Sequence, residues 1–387
     1  MKKLFFLVSR IPYPLEKGDK LRAYHQLRYL SSQHDVTLCC LSLRKPDEAA
    51  LEHLRTFCRV EVIRLSSIGL VFRLALALFS SRPFQVHYFY RQPARRKIQK
   101  LINELEPDHI YCQLIRCSEY VKHIHHIPKT LDYMDAFNKG TERLASVSGW
   151  WKRQFWLTES KRLVRYENLI FDYFDHHTII SDQDRQLIYH EQRKRIQVIP
   201  NGVDTDYFHP SNEMKQTTLV FTGNMSYPPN VDGAEFLVNQ ILPLVRKEHP
   251  EISVLLAGAN PSVRVRALAS EGVEVTGWMD DIRDAYGRSA IFIAPMRIGT
   301  GLQNKLLEAM SMELPCITSK LANNALKATP NEEVLIGESP EEYAALIHKL
   351  LVDPSSRTSI GKAGRNFVKA RFSWEASAQE LTKIFFG

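Results

Sequence analysis

Residues 297–310 read Arg297-Ile-Gly-Thr-Gly-Leu-Gln-Asn-Lys-Leu-Leu-Glu-Ala-Met310, and they follow a strand-like run, Ala290-Ile-Phe-Ile-Ala-Pro295. Gly299 and Gly301 stand where the chain must turn tightly from this strand into a helix. A glycine-rich turn that opens a helix presents free N–H groups and the positive end of the helix dipole, which suits a diphosphate. The stretch therefore favours the binding of a nucleotide sugar.

Three charged side chains of this stretch are candidates for contacts with such a ligand. Arg297 and Lys305 would stabilise the negative charge that grows on a leaving diphosphate. The alternative is a pair of solvated cations, which contribute little. Glu308 lies about two helical turns after Gly301, where a carboxylate can accept hydrogen bonds from a ribose. This interpretation predicts that Glu308 is partly buried, whereas the alternative is a solvent-facing carboxylate.

Composition indicates a globular protein of more than one domain. The chain has 387 residues, of which 44% are hydrophobic and 24% charged, so two domains are expected. Its net charge of +8 favours anionic partners such as nucleotide diphosphates, nucleic acid or anionic lipid. The sequence carries no aromatic RNA-binding motif and no zinc-finger spacing, and we predict no nucleic-acid partner. Its six cysteines form no C-x-x-C pair, which is typical of reduced thiols in a cytoplasmic protein.

Two apolar segments imitate membrane signals. Residues 1–9 resemble a signal peptide, but their apolar run is too short, and a buried first strand is the better prediction. Residues 68–79 are interrupted by Arg73 and fall well short of the ~20 residues that a membrane-spanning helix needs. We predict no membrane span.

Strand and helix patterns alternate along both halves, which predicts an α/β fold with parallel sheets. Strands are predicted at residues 3–8, 36–43, 60–65, 108–112, 130–133, 176–180, 218–222, 253–257, 273–276, 290–295, 315–319 and 333–336. A further predicted strand begins at residue 196 and ends in the Pro200-Asn201-Gly202 turn. Helices are predicted at residues 18–32, 47–58, 91–105, 231–249, 282–288, 340–351, 355–371 and 374–386, and within 141–174. The polar residues 205–217 are predicted to link two domains.

Three motifs, in their order and spacing, resemble the retaining glycosyltransferases of the GT-B fold, family GT4, and in particular the sugar transferases of bacterial exopolysaccharide clusters. They are Ile199-Pro-Asn-Gly-Val-Asp-Thr-Asp-Tyr-Phe208, Leu219-Val-Phe-Thr-Gly-Asn-Met225 and Gly299-Thr-Gly-Leu-Gln-Asn-Lys-Leu-Leu-Glu-Ala-Met310. The resemblance implies two Rossmann-like domains that face each other across a cleft. Residues 1–204 would bind the acceptor and residues 205–371 the nucleotide sugar, with residues 372–387 crossing back to the first domain. It also implies that no metal or cofactor is needed.

The chain departs from this family at two places. The first glutamate of the family's E-x7-E pair is Thr300 here, while the second is Glu308. The family's Arg and Lys after the first strand of the donor domain are also missing, and Asn224 and Tyr227 occupy that region. Arg297 and Lys305 would therefore have to balance the phosphate charge.

Further donor contacts are predicted at strand ends, where open α/β sheets bind ligands. Gly223 and Asn224 end one strand, and Gly277 and Trp278 end another. The Gly277-Trp278 backbone would meet the nucleobase, although Trp278 could instead be a domain-interface aromatic. In the glycine-rich turn, the donor contacts would come from Thr300, Gly301 and Leu302.

Three further candidates, for donor binding and catalysis, lie in the first half. Gly18, in the loop of residues 10–22, permits close approach of the backbone to a donor phosphate or acceptor, although loop glycines are common. Asp132 and Asp135 occupy a strand end where many relatives carry a catalytic-site histidine. A carboxylate there would orient the sugar or act as a base, whereas helix capping is the alternative for Asp135.

Two other features have competing interpretations. The histidine pairs at 125–126 and 176–177 lack a carboxylate at ligand spacing, so no metal site is predicted. The aromatic and basic residues 150–156, together with 72–79, could dock on a membrane that carries a lipid-linked acceptor. The alternative is a helix packed on the first domain.

Together these patterns predict a cytoplasmic, metal-independent, retaining glycosyltransferase of the hexosyltransferase class. It would transfer a sugar from a nucleotide diphosphate sugar to a hydroxyl of a glycan or lipid-linked saccharide, in surface polysaccharide or glycoconjugate synthesis. One alternative is an epimerase or phosphorylase, which would need a catalytic acid or cofactor lysine that the sequence does not reveal. Another is a non-catalytic binding or scaffold protein on a degenerate GT-B fold. The base, the sugar and the acceptor stay open.

Overall fold

Two parallel β-sheets, one in each half of the chain, organise the fold. The computed structural model describes residues 1–15, 17–67, 70, 77, 80–146, 149–211, 216–298 and 301–387. These residues form two units, Met1–Pro200 with Trp374–Gly387 and Asn201–Ser373. Each unit combines its sheet with helices, which confirms the predicted α/β class with two Rossmann-like units. The sequence prediction put the breaks after residues 204 and 371.

The sheet of the first unit has the strand order β3-β2-β1-β4-β5-β6-β7, with all neighbours parallel. Its strands are β1 (Lys3–Val8), β2 (Asp35–Ser42), β3 (Arg59–Arg64), β4 (His109–Gln113), β5 (Lys129–Asp132), β6 (His176–Ile179) and β7 (Gln197–Val198). Its helices are α1 (Gly18–Ser31), α2 (Glu48–Arg55), α3 (Phe84–Phe89), α4 (Gln92–Leu105), α5 (Ser118–Val121), α6 (Phe137–Ser146), α7 (Trp150–Phe171) and α8 (Asp182–Gln186). The apolar run of β1 is buried from Leu4 to Val8, as expected for a central parallel strand covered on both faces. The predicted buried first strand is confirmed.

The sheet of the second unit has the order β10-β9-β8-β11-β12-β13 and is also parallel. Its strands are β8 (Thr217–Thr222), β9 (Val254–Ala257), β10 (Val273–Gly277), β11 (Ser289–Ala294), β12 (Cys316–Thr318) and β13 (Leu335–Ile336). Its helices are α9 (Pro228–Phe236), α10 (Leu242–Val245), α11 (Val263–Arg266), α12 (Arg283–Gly287), α13 (Asn304–Ser311), α14 (Lys320–Leu326), α15 (Pro340–Val352) and α16 (Pro354–Arg371). The strand order reverses between β8 and β11, so the loops after these two strands diverge.

The chain returns to the first unit through α17 (Trp374–Phe386). The Trp374 ring stacks on His25 of α1, with ring centres 4.7 Å apart. Phe385 lies against His109 at 4.7 Å and Tyr111 at 5.5 Å between ring centres. This confirms the predicted crossing of the last helix to the first domain.

The predicted helix at 231–249 differs from the structure in its start, end and regularity. It begins at Pro228, since proline suits the first helical turn, and it widens into a π-helix at Leu237–Ile241 before α10 ends at Val245. Pro243 clashes with the carbonyl four residues earlier in a regular helix, and a wider turn relieves this clash. The predicted helical region 141–174 is two helices, α6 and α7, and Gly149 is the N-cap of α7.

Each described helix is too short or too polar to span a membrane. Most of the apolar segment 68–79 lies outside the described residues.

Candidate functional site

The carboxyl ends of β8, β9 and β11 meet at one edge of the second sheet, next to the point where the strand order reverses. Gly223 follows β8, Gly258 follows β9, and the chain after β11 leads into α13. Open α/β sheets bind ligands at such an edge. We therefore place the candidate site here and describe its side chains in turn.

Lys305 lies in the first turn of α13 and is half-buried. Its Nζ donates a hydrogen bond to Asn230 Oδ1 at 2.5 Å and lies 4.0 Å from Met296 Sδ. The same Nζ is 4.6 Å from the centre of the Phe221 ring. Burial lowers the pKa of Lys305 to about 7, although the charge of Glu308 opposes this shift. The lysine therefore carries a poorly compensated charge that an incoming anion would balance.

Gly223 leaves room beside this ammonium group. Its φ is +148°, and a Cβ there would lie 2.6 Å from Asn230 Nδ2 and 3.3 Å from Lys305 Nζ. Asn230 is 5% exposed and donates from Nδ2 to the Asn224 carbonyl oxygen at 2.9 Å. Asn224 Oδ1 in turn accepts from the backbone N–H of Ser226 at 3.1 Å. One amide, Asn230, thus joins the loop after β8 to the lysine of α13.

Glu308 lies one turn after Lys305 on α13 and is half-buried. Its Oε2 accepts a hydrogen bond from Tyr286 Oη at 2.7 Å, and this hydroxyl lies 2.8 Å from Thr222 Oγ1. Burial raises the pKa of Glu308, while the Tyr286 hydrogen bond and the Lys305 charge lower it. The partial burial agrees with the ribose interpretation, although contact with a ribose stays a prediction.

Arg297 is held by an ion pair that the sequence did not indicate. Its Nε and Nη2 donate to the two carboxylate oxygens of Asp232, at 3.1 and 2.7 Å. Its guanidinium carbon lies 4.4 Å from the centre of the Phe236 ring, and the side chain is 44% exposed. A phosphate would therefore have to bind the Arg297 guanidinium alongside Asp232. The role of Arg297 at the leaving group stays a prediction.

The glycine-rich turn is only partly described. Gly299 and the predicted donor residue Thr300 lie outside the described residues. Gly301 and Leu302 are half-buried immediately before α13. The Gly301 carbonyl oxygen accepts a hydrogen bond from Gln303 Nε2 at 2.9 Å, which shapes the entry into the helix.

Gly277 is the last residue of β10 at the same edge, and Trp278 follows it. Gly277 has φ +83°, and open space surrounds the position of a Cβ. Trp278 is 59% exposed, and its indole N–H donates to Asp280 Oδ1 at 3.2 Å. An exposed indole can stack on a base, but contact with a nucleobase stays a prediction.

Asp132 of the first unit lies in a buried polar network. It is 0% exposed and accepts from Arg22 Nε at 2.7 Å, Tyr111 Oη at 2.7 Å and Thr178 Oγ1 at 2.9 Å. An ion pair so enclosed requires all its hydrogen bonds to remain stable. This position argues for a structural role and is at odds with direct contact between Asp132 and a sugar.

Asp135 is exposed and lies after β5. Burial lowers the pKa of Arg116, and the charge of Asp135 partly offsets this effect. At the start of α6, the Glu167 carboxylate accepts hydrogen bonds from the Asn138 backbone N–H at 3.4 Å and from Asn138 Nδ2 at 2.6 Å. Burial raises the pKa of Glu167 to about 8. The exposed Asp135 remains a candidate for contact with an acceptor.

Gly18 opens α1, and a Cβ there would meet nothing within 4 Å. Its neighbour Asp19 forms an ion pair with Arg10 at 3.2 Å. The geometry at Gly18 therefore does not itself require glycine, and its contact with a ligand stays a prediction.

Sequence reasoning missed three residues that complete the site of the second unit: Asn230, Asp232 and Tyr286. Each contacts a predicted residue that is 22 to 75 positions away, and a single sequence does not encode such pairs as a spacing. The one available indication for Asn230 was its place directly after Pro228 and Pro229, shortly after a predicted strand end.

Comparisons with known proteins point to the same region. The family described as "Glycosyl transferases group 1" matches residues 216–353, which include Gly223, Lys305 and Glu308. An "Uncharacterized 44.6 kDa protein in cps region" of Klebsiella pneumoniae is 24% identical over 405 residues, covering 100% of this chain and 99% of that protein. A GDP-mannose-dependent monoacylated alpha-(1-6)-phosphatidylinositol monomannoside mannosyltransferase of Corynebacterium glutamicum is 28% identical over 210 residues, covering 48% of this chain and 55% of that protein.

Structural similarity covers the whole described fold. The structure of Anabaena HepE in complex with UDP and glucose matches with a TM-score of 0.69 and 13% identity, covering 99% of both chains. At this identity the match shows the fold, and it confirms the predicted GT-B class. The family match of the second unit and the GT-B fold of the whole chain together support a GT4-type glycosyltransferase, similar to the group 1 glycosyl transferases.

Proposed function

We propose that this glycosyltransferase moves a sugar from a nucleotide diphosphate sugar to an acceptor hydroxyl, with retention of the anomeric configuration and without a metal ion. One observation carries the proposal: the half-buried Lys305 ammonium group is held by Asn230 beside Gly223, one helical turn from Glu308. A cation, a glycine and a carboxylate at this spacing suit the diphosphate and ribose of one nucleotide.

The diphosphate would lie at the start of α13, where free N–H groups and the helix dipole favour an anion. Lys305 Nζ would bind a phosphate oxygen, and the phosphate charge would raise the lysine pKa above its present value of about 7. Among the described residues, Asp232 engages only Nε and Nη2 of Arg297, so Nη1 remains for the phosphate. Glu308 would accept hydrogen bonds from the ribose hydroxyls.

Catalysis would follow from the charge on the leaving group. As the bond between the sugar and the terminal phosphate breaks, negative charge grows on the phosphate oxygen. Lys305, the N–H groups of α13 and Arg297 would stabilise this charge more in the transition state than in the ground state. The residues of this chain supply the positive charge, and retention rests on the resemblance to the retaining family.

The acceptor is proposed to be a glycan or a lipid-linked saccharide in bacterial surface polysaccharide or glycoconjugate synthesis. The name of the Klebsiella protein places it in a cps region, and the name of the Corynebacterium enzyme describes a lipid-linked mannoside. These names support a hexosyltransferase role. Thr300 in place of the family's first glutamate keeps a non-catalytic nucleotide-sugar-binding protein as the second candidate.

We also propose a cytoplasmic protein that associates with the membrane surface through the start of α7. Trp150 and Trp151 are 62% and 80% exposed, and the adjacent Lys152 and Arg153 are exposed as well. Exposed indoles beside cations suit the interface of an anionic bilayer.

The test begins with a thermal-shift panel of nucleoside diphosphates, which selects the base, and continues with turnover of the matching nucleotide sugars. Glu308→Ala, Arg297→Ala and Lys305→Met should each lower turnover while the circular dichroism spectrum stays native. Lys320→Met, at an exposed lysine of the same unit, is the matched control for Lys305→Met and should keep wild-type turnover. Unchanged turnover in the Glu308 and Arg297 variants would refute the site, and nucleotide binding without any turnover would favour the non-catalytic candidate.

A further inference from the structure

We propose that Glu248, His249 and His348 bind one divalent transition-metal ion of the Zn²⁺ class on the second unit. His249 Nε2 lies 3.0 Å from His348 Nδ1, and Glu248 Oε2 lies 2.8 Å from the same Nδ1. The three ligand atoms all lie within 4.8 Å of one another. Among the described residues, this is the one group of at least three His, Cys, Asp or Glu side chains with such a spacing.

The cluster has more lone pairs than protons to bind them, which favours a cation. A neutral imidazole carries one N–H and one lone pair, so a single proton on His348 Nδ1 or His249 Nε2 must serve two nitrogens and a carboxylate oxygen. Two nitrogens bound to a tetrahedral Zn²⁺ at the usual bond length lie about 3.3 Å apart. The present separation of 3.0 Å differs from that by a few tenths of an ångström. A metal ion can therefore replace the shared proton after a small side-chain adjustment.

A second carboxylate supports the tautomer that this site requires. Glu251 Oε1 lies 4.0 Å from His249 Nδ1, the ring nitrogen that faces away from the cluster. This distance is too long for a hydrogen bond, but the negative charge on that side favours a proton at Nδ1 and a lone pair at Nε2, the tautomer found in carboxylate–histidine–metal arrangements. His249 is 16% exposed and His348 45% exposed, so the ion would keep an open position for water.

The location indicates a structural metal. Glu248 and His249 lie in the loop between α10 and β9, at the amino end of β9, and His348 lies near the end of α15. The proposed donor residues lie instead at the carboxyl ends of the strands. The ion would tie the loop to α15 and take no part in sugar transfer. Two imidazoles and one carboxylate suit Zn²⁺, and Co²⁺ is a spectroscopic substitute for it.

The experiment uses the full chain after removal of metals with EDTA and dialysis. Calorimetric titration with ZnCl2 should show one saturable site per chain. His348→Gln and Glu248→Gln should each weaken it at least tenfold, because each removes a ligand. His209→Gln, at an exposed histidine of the same unit, is the matched control and should bind Zn²⁺ as the wild type does. Circular dichroism shows whether each variant is folded, and the exposed Glu248 variant keeps the test available if His348→Gln unfolds.

A second measurement identifies the ligands. Co²⁺ bound to the wild type should give the visible absorption of a tetrahedral site, and His348→Gln should lose it. ZnCl2 should raise the Tm of the wild type and leave that of His348→Gln unchanged, while EDTA should leave sugar transfer unaffected. The proposal is overturned if the wild type shows no saturable equivalent of Zn²⁺, or if both variants bind as tightly as the control.

Discussion

Lys305 should make donor binding depend on pH. Its pKa of about 7 in the ligand-free protein means that the lysine is charged below this pH and increasingly neutral above it. A diphosphate binds the charged form, so its affinity should be constant below pH 7 and fall by up to about tenfold per pH unit above it. Calorimetry with a nucleoside diphosphate at pH 6.5, 7.5 and 8.5 measures this slope. Lys305→Met should bind weakly at every pH without the slope, and an equal slope in this variant would assign the titration elsewhere.

Glu308 should distinguish a nucleotide from a bare diphosphate. Glu308→Gln keeps an oxygen that accepts from Tyr286 Oη but removes the charge that the ribose hydroxyls would meet. A hydrogen bond to a charged group contributes about 1.5–3 kcal/mol, so nucleoside diphosphate affinity should fall roughly ten- to a hundredfold. At a pH well below the pKa of Lys305, inorganic pyrophosphate should bind at least as tightly as before, because a negative charge near Lys305 is gone. Equal losses for both ligands would remove the ribose assignment.

Asp132 should be needed for stability. In Asp132→Asn the buried guanidinium of Arg22 loses its negatively charged partner, and breaking a buried ion pair costs about 3–5 kcal/mol. Urea unfolding should show this loss. Asp135→Asn, at an exposed position three residues later, after β5, should change the free energy of unfolding by less than about 0.5 kcal/mol. A fully stable but inactive Asp132→Asn protein would instead restore the catalytic interpretation of Asp132.

The sequence indicated Lys305 and Glu308 because both stand at fixed spacings in one short helix. It did not indicate that Arg297 is paired with Asp232, or that Tyr286 binds Glu308. Such pairs depend on how distant strands and helices come together, so their geometry appears only in the folded chain.

At the scale of elements, the ends of β8 and β9 are joined by a close backbone contact. A Cβ at Gly258, where φ is +135°, would lie 2.0 Å from the carbonyl oxygen of Gly223. Gly258→Ala should therefore displace the loop beside Lys305, lower the free energy of unfolding by more than about 4 kcal/mol and abolish nucleotide binding. Gly277→Ala is the matched control, since φ is +83° but the surrounding space is open. Gly277→Ala should lower the free energy of unfolding by about 1–2 kcal/mol. Similar losses of stability in both variants would mean that the contact between Gly258 and the Gly223 carbonyl oxygen is unimportant.

Strands were easier to predict than the ends of helices. The apolar runs that became β1, β8 and β11 stand out because central parallel strands are buried on both faces. The π-helix before Pro243 and the division of residues 141–174 into two helices depend on local clashes and tertiary packing, which periodicity alone does not reveal.

At the scale of the molecule, the net charge of +8 and the exposed Trp150 and Trp151 should direct the protein to anionic membranes. Co-sedimentation with phosphatidylglycerol vesicles at low salt should retain the wild type and release it as salt rises. The double substitution Trp150→Ala/Trp151→Ala should weaken binding by about tenfold or more. Trp278→Ala, at an exposed indole of the other unit, is the control. Equal retention of all three proteins would leave only a charge effect and remove the proposed docking surface.

The return of α17 to the first unit also determines the order in which the protein can be completed during translation. Leu381, Ile384 and Phe385 belong to the same buried cluster as Leu4, Phe6 and Leu27, yet the ribosome makes them only after the entire second unit. The first unit is begun first and finished last. Throughout that interval the nascent polypeptide carries an uncovered apolar face, which is where a chaperone would be expected to bind.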